Sequence, residues 1–412
     1  MVSVCFYFQV HQPRRVKYFS DMKKSKSVEE LEEAIFFDEK NKEVMKKVAG
    51  KCYMPANRTM LDQIDLYKKD TKKFKISYSV SGIFLDQLEM FGMDDVIDSF
   101  RELSKTGCVE FLNETYYHSL SSFWGKNTER PEFGEQVQMH NKKIRELFKY
   151  DAKVFRNTEL LFNNAIARTV EKMGYFGILA EGIERVLVNP PYSPEHIYKL
   201  KDEDSHISVL LRHYKLSDDI AYRFSAQWAE TWPLTADKFG SWIKECQGET
   251  INLFMDYETF GEHQWEDTGI FNFMKYLPYE VIKYDHMDFA TPTEVIERYP
   301  QRGIIDVEEL STHSWADLER DCSAWLGNDM QRYVYDQIKQ REAKVKPINN
   351  EKLTAIWRTL QTSDLLYYMC TKYWGDGDVH KYFSPYDTPH QAFENMLGAL
   401  SHLDSAISSY YD

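Results

Sequence analysis

Ile251-Asn252-Leu253-Phe254-Met255-Asp256-Tyr257-Glu258-Thr259-Phe260-Gly261-Glu262-His263-Gln264-Trp265 begins as a run of strand length, apolar but for Asn252, and stops at a carboxylate. Six comparable β-branched or aromatic runs precede it, at 2–10, 74–80, 109–112, 154–157, 176–180 and 207–212, and stretches long enough for helices separate them. That alternation is the signature of βα units with parallel strands. A closed or nearly closed barrel and a doubly wound sheet both fit the periodicity. No G-x-G-x-x-G follows the first run, which argues against a dinucleotide-binding sheet and makes the barrel the preferred reading.

Beyond residue 290 the texture changes to long helical patterns, at 315–345, 351–373 and 389–410, each bounded by Pro, Gly or Asn. The expected organisation is an α/β chain with a barrel over 1–290 and a helical domain over 291–412 that contributes to the active-site cleft. Gly375-Asp376-Gly377-Asp378 is too short for a calcium loop and reads as a turn.

Composition narrows the function classes. The 51 Lys and Arg against 65 Asp and Glu give a net charge of −14, a field that repels polyanions, so nucleic acid is not an expected partner. Aromatic residues reach 15%, more rings than packing alone asks for, and some are expected to line a cleft. The six cysteines contain no C-x-x-C pair and read as buried thiols, with neither a disulfide framework nor a zinc site of familiar spacing. With no signal-peptide pattern and no apolar run of ~18 residues, a reducing cytoplasmic setting without membrane association is expected.

In parallel βα architectures the chemistry sits where strands run into loops. The first run ends at His11-Gln12-Pro13, the third carries Glu110 within Val109-Glu110-Phe111-Leu112 and leads to His118, and the fourth ends at Arg156-Asn157-Thr158-Glu159. Taken singly, each has a plain structural explanation: a satisfied histidine at a strand end, a buried ion pair for Glu110, or a helix cap at Thr158 with Glu159 on the helix dipole. The seventh run is the most informative, because Asp256, Glu258, Glu262, His263, Gln264 and Trp265 crowd its end. Crowding and desolvation raise carboxyl pKa values, so a protonated general acid near neutral pH is available there. Two carboxylates with amide and aromatic neighbours are the ingredients of glycosidic-bond chemistry. Trp124, Trp228 and Trp232 are candidates for sugar stacking or for ordinary packing. No H-E-x-x-H, H-x-x-x-H, G-x-S-x-G or G-x-x-x-x-G-K-[ST] is present, which weakens zinc peptidase, deacetylase, serine hydrolase and nucleotide hydrolase readings.

The blocks His11-Gln12-Pro13, Gly107-Cys108-Val109-Glu110, Arg156-Asn157-Thr158-Glu159, Asp256-Tyr257-Glu258-Thr259-Phe260-Gly261 and Leu360-Gln361-Thr362-Ser363-Asp364 together resemble the ordered signature regions of glycoside hydrolase family 57. Within it the chain most resembles the short, intracellular α-amylase group. The resemblance implies an incomplete (β/α)7 barrel followed by a C-terminal helical domain, a retaining α-glucan-active enzyme, Glu159 as nucleophile and Asp256 as acid/base. It also places His11, Glu110 and His118 along the sugar site, with Asp364 in the last block. The third block departs from the family's common Trp-Leu-x-Glu-Cys, having Phe155-Arg156-Asn157-Thr158-Glu159-Leu160 instead; the glutamate is kept while its surroundings change. Gln12, Arg156, Glu258, His263 and Trp265 complete the expected substrate-binding set.

The expected activity is therefore cleavage of α-1,4 linkages in an α-glucan or maltooligosaccharide, without cofactor or metal, by a monomer or small homo-oligomer. The alternatives are a 4-α-glucanotransferase or branching enzyme of the same family, or a catalytically retired glucan-binding protein.

Overall fold

The computed structural model describes residues 1–25, 27–126, 128–372 and 384–411. The turn read at Gly375-Asp376-Gly377-Asp378 and the last residue of the 351–373 pattern lie outside them. Among the described residues ten strands are formed: β1 Val2–Val10, β2 Ile76–Val80, β3 Val109–Phe111, β4 Val154–Arg156, β5 Gly177–Glu181, β6 Ile197–Leu200, β7 Ser208–Arg212, β8 Thr250–Asp256, β9 Met287–Phe289 and β10 Gln301–Ile305.

All seven expected runs are strands. Parallel ladders join β8, β1, β2 and β3 on one side and β4, β5 and β7 on the other. Two seams connect these halves. At one, Asn113 just past β3 bridges Phe155 of β4, with Arg156 N–H donating to the Asn113 carbonyl at 2.8 Å. At the other, His213 N–H donates to the Asn252 carbonyl at 2.8 Å and the Asn252 amide to the Leu211 carbonyl at 2.9 Å. The result is a barrel in the order β1-β2-β3-β4-β5-β7-β8, thin at two seams, which is the incomplete (β/α)7 barrel expected.

The strands read as apolar because both faces are covered. Along β1, Val4, Phe6, Phe8 and Val10 pack outward against the helical layer, while Cys5 and Tyr7 join Leu179, Leu210 and Phe254 in the interior. The interior turns polar toward the strand ends, where the Tyr7 hydroxyl donates to Gln9 Oε1 at 2.7 Å. The short strands β6, β9 and β10 were not expected. β6 runs antiparallel to β7, β10 extends that edge, and β9 lies beside Val2–Val4 of β1. Each is too short or too polar on one face to stand out by periodicity.

The C-terminal helical region is present but more broken than its pattern. The expected helix at 315–345 starts only at Ser323–Leu326 and continues as Asp329–Gln340 and Glu342–Val345. Residues 313–322 form a strap instead, with Asp317 and Arg320 at positive φ of 57° and 51°. The 351–373 pattern divides into Glu351–Thr359 and Ser363–Tyr367, because Thr362 leaves the helix to bridge Ser119. The helix Pro389–Ser408 forms as expected, with Thr388 accepting from Gln391 N–H at 3.1 Å.

Trp124 is buried in this helical core beside Trp357 and Tyr335, so it is packing. Cys5, Cys52, Cys108 and Cys370 are buried as read, whereas Cys246 and Cys322 are only half-buried. Among the described residues no helix is long and apolar enough to cross a membrane.

Candidate active site

The strand ends open into a cavity of about 590 Å³, and the wall includes His11, Gln12, His118, Glu159, Asp256, Glu258, His263 and Asp364 from the expected set. It lies at the carboxyl ends of the barrel strands, with the helical region supplying Asp364 and the strap 313–322 supplying Trp315.

Glu159 sits just past β4 in the left-handed region, φ 57°, and Leu160 follows at φ 51°. Two consecutive non-glycine residues there cost on the order of 1–3 kcal/mol each. The turn is held by Leu160 N–H donating to the Asn157 carbonyl at 3.0 Å and by the Asn157 amide donating to the Leu161 carbonyl at 2.9 Å. Thr158 therefore does not cap a helix over Glu159; the next helix, Asn164–Lys172, is capped by Asn163.

That strained turn aims the Glu159 carboxylate at three donors. Trp315 Nε1–H donates to Oε2 at 2.8 Å and Ser363 Oγ–H to Oε1 at 3.1 Å, while His118 Nε2 lies 3.3 Å from Oε1. Burial alone would raise its pKa. The His118 hydrogen bond and charge, the Arg156 charge and the Trp315 N–H outweigh burial and hold Glu159 at about 2.

Asp256, at the end of β8, experiences the opposite balance. Burial pushes it up and the negative charge of Glu159 adds to the rise; Arg156, His118 and Arg212 pull it back only in part, leaving it at about 7. Glu258 is driven to about 8, by burial first and by Asp256 next, although Tyr53 O–H donates to it at 2.5 Å. Near neutral pH Glu159 is thus ionised while about half of Asp256 still holds its proton. This is the split that pairs a nucleophile with a general acid.

His118 is the hinge of this electrostatics. It is buried at φ 51°, and its Nδ1 lies 2.9 Å from Glu114 Oε2 opposite the contact to Glu159. Burial lowers its pKa, but the two carboxylates more than reverse this and set it at about 9, so it is an imidazolium donating to both. The His11 ring stacks on it at 4.1 Å between centroids, and its own Nε2 lies 3.0 Å from Asp364 Oδ2. Burial first and the His118 charge second push His11 down, so the neutral ring lies against the charged one.

Three expected residues are not brought into the cleft. Glu110 lies within β3, short of its carboxyl end, and is not part of the cavity wall. Its carboxylate accepts from Thr293 N–H at 2.9 Å and Thr293 O–H at 2.6 Å, so its partner is a helix N-terminus and not a cation or a sugar. Arg156 is fully buried beneath Trp315, its Cζ 4.7 Å from the ring centroid, and none of its three guanidinium nitrogens has a hydrogen-bond partner among the described residues. It acts on the carboxylates through its charge. Trp265 is 56% exposed with Lys51 Nζ over its ring at 4.7 Å, outside the cavity wall. Of the candidate platforms, Trp228 lines the cavity rim at 81% exposure, and Trp232 does not line it.

Several residues escaped the sequence reading. Glu114 is fully buried, accepts from Gln9 Nε2–H at 3.0 Å, and, despite burial, is held at about 2 chiefly by the His118 hydrogen bond. The rule that chemistry follows strand ends favours Glu114, beyond β3, over Glu110 within it. Trp315 was hidden in a stretch read as helix. The strap that carries it is pinned by Arg320, which reaches Glu181 at 3.2 Å and Asp218 at 2.8 Å. Both acids also hold the buried Arg212 of β7.

The model of the family described as Glycosyl hydrolase family 57 matches residues 5–308. A Methanocaldococcus jannaschii protein provisionally named as an alpha-amylase is 44% identical over 405 residues, covering 96% of this chain and 83% of its own length. Among solved structures, the 4-alpha-glucanotransferase of Thermococcus litoralis superposes with a TM-score of 0.62 at 14% identity, over 89% of this chain and 56% of that one. This chain thus spans little more than half of that enzyme. The GH57-type branching enzyme of Pyrococcus horikoshii gives 0.65 at 14% identity, over 99% of this chain and 91% of that one. At such identity these two structures share the fold with this chain.

Proposed function

Because this chain belongs to glycosyl hydrolase family 57, we propose that it is a retaining α-glucan-active glycosidase that cleaves α-1,4-glucosidic bonds by double displacement. The observation that carries this reading is the opposed protonation of Glu159 and Asp256 in one cavity. The name of the Methanocaldococcus jannaschii relative agrees with it.

In the first step the Glu159 carboxylate attacks C1 of the sugar from the face opposite the leaving group. Asp256 gives its proton to the glycosidic oxygen, the C1–O bond breaks, and the sugar is left as an ester on Glu159. In the second, the Asp256 carboxylate takes a proton from water, the water oxygen attacks C1, and the ester bond breaks to return Glu159. Once the ester forms, Glu159 is uncharged and no longer raises the pKa of Asp256, so Asp256 stays ionised after giving up its proton and can accept one from the incoming water. His118 charges one side of Glu159 and Trp315 the other, and both fix its direction. His11, Gln12, Glu258, His263 and Asp364 are assigned to sugar hydroxyls. The same reading assigns residues 1–290 to the catalytic barrel and 291–412 to a helical domain that completes the cleft.

The test is product analysis on maltoheptaose by chromatography with proton NMR of the nascent anomer. Shorter α-anomeric products are expected. Products longer than the substrate would assign the chain to glycosyl transfer with the same two carboxylates, and initial β-anomers would overturn retention.

A further inference from the structure

Outside the cleft, three loops bring different ligand chemistries to one point. Glu195 precedes β6, His213 follows β7, and Cys246 lies between the helix Ala236–Ile243 and β8. A carboxylate oxygen, an imidazole nitrogen and the thiol sulfur of these residues lie within 4.8 Å of one another. His213 Nε2 is 3.6 Å from Glu195 Oε1. Two ligands bound at about 2.0–2.1 Å to a tetrahedral ion stand about 3.3 Å apart, so closing this pair onto a metal takes a shift of a few tenths of an ångström.

The three side chains are supported by bonds that leave their donor atoms facing one another. Glu195 Oε2 accepts from Gln247 N–H at 3.1 Å and Gly248 N–H at 2.9 Å, which leaves Oε1 turned toward His213. The turn after Cys246 approaches so closely that a Cβ on Gly248 would sit 2.2 Å from the Glu195 Cβ. His213 is fixed by its N–H to the Asn252 carbonyl at 2.8 Å. Its Nδ1 accepts from Leu216 N–H at 3.4 Å, beyond the ordinary range of roughly 2.7–3.2 Å. A metal on Nε2 moves the ring proton to Nδ1, giving up that long contact and replacing the 3.6 Å approach of Nε2 to Glu195 Oε1.

We propose that Glu195, His213 and Cys246 bind a zinc-type divalent cation, with a fourth position open to the cavity of about 460 Å³ that Glu195 and Cys246 help to line. A thiolate with an imidazole selects a borderline ion over calcium or magnesium, which take oxygen ligands. On binding, Cys246 releases its proton to solvent. The ion would clip the segment before β6 to the start of β8, a structural role independent of the cleavage chemistry above.

Cobalt(II) is the probe. The full chain, stripped with chelator and loaded with Co²⁺, is expected to give a thiolate-to-cobalt charge-transfer band in the near ultraviolet together with visible bands of tetrahedral intensity. Cys246→Ser should remove the charge-transfer band and weaken Zn²⁺ in a competition titration by more than about 100-fold. Cys322→Ser, which removes the other half-buried thiol, should change neither. Circular dichroism checks that the variants fold, and Glu195→Gln, which keeps the thiol, should retain the band while losing affinity. A band that survives Cys246→Ser, or Zn²⁺ held no more tightly by the unmodified chain than by that variant, overturns the site.

Discussion

The indole N–H of Trp315 donates to Glu159 Oε2 at 2.8 Å, and the backbone N–H of the same residue donates to the Glu159 carbonyl at 3.2 Å. One residue of the strap therefore holds both the carboxylate and the left-handed backbone beneath it, and its ring covers the buried Arg156 charge. The aim of Glu159 is consequently set from outside its own strand.

Arg320 anchors that strap through Glu181, Asp218 and the Trp315 carbonyl. Arg320→Gln is expected to lower kcat/KM by up to about 100-fold, because small misplacements of a reacting group cost that much. Loosening the Trp315 hydrogen bond also raises the pKa of Glu159, so the acid limb of the pH profile should move upward. Steady-state kinetics with circular dichroism checks this; unchanged rates in a folded variant would show that the strap does not position Glu159.

The pH dependence has a definite sign. In the proposed double displacement, turnover needs Glu159 ionised, which holds above about 2, and Asp256 protonated, which holds below about 7. The kcat/KM profile should therefore fall as pH rises through about 7. The positive charge of His118 lowers both carboxylates, so His118→Gln should shift both limbs to higher pH. An alkaline limb that stayed in place or moved down would contradict the assignment.

The barrel could be read from sequence because strands covered on both faces are apolar in consecutive positions, as Val2–Val10 is but for Ser3 and Gln9, and it is buried throughout its length. Glu159 and Asp256 were visible for a related reason, since a carboxylate stands out where an apolar run ends. The strap was not visible: Trp315 and Arg320 carry helix-compatible side chains, and the positive φ at Asp317 and Arg320 that breaks the helix leaves no mark without a glycine. Arg156 looked like a sugar ligand because a charge at a strand end points either into the cleft or under it, and only packing against Trp315 decides which.

A carboxyl group kept protonated at neutral pH withholds stability. The folded protein binds Asp256's proton more tightly than the unfolded chain, so the penalty is absent below the ordinary 3.8 and complete above about 7, at most roughly 4 kcal/mol. Asp256→Asn is expected to unfold at a higher temperature than the unmodified protein at pH 8, with the gap narrowing toward pH 4. Calorimetry at the two pH values checks it; a variant less stable at pH 8 would mean that the Asp256 carboxylate is not a strained group.

Double displacement by the proposed mechanism requires Glu159 to form a bond to the sugar. Incubation with a fluorinated α-glucosyl fluoride that slows the second step, followed by proteolysis and mass spectrometry, is predicted to find one hexosyl-type adduct on the peptide containing Glu159, absent from Glu159→Gln. A stable adduct on Asp256 or Glu258, or full turnover by Glu159→Gln, would contradict the account.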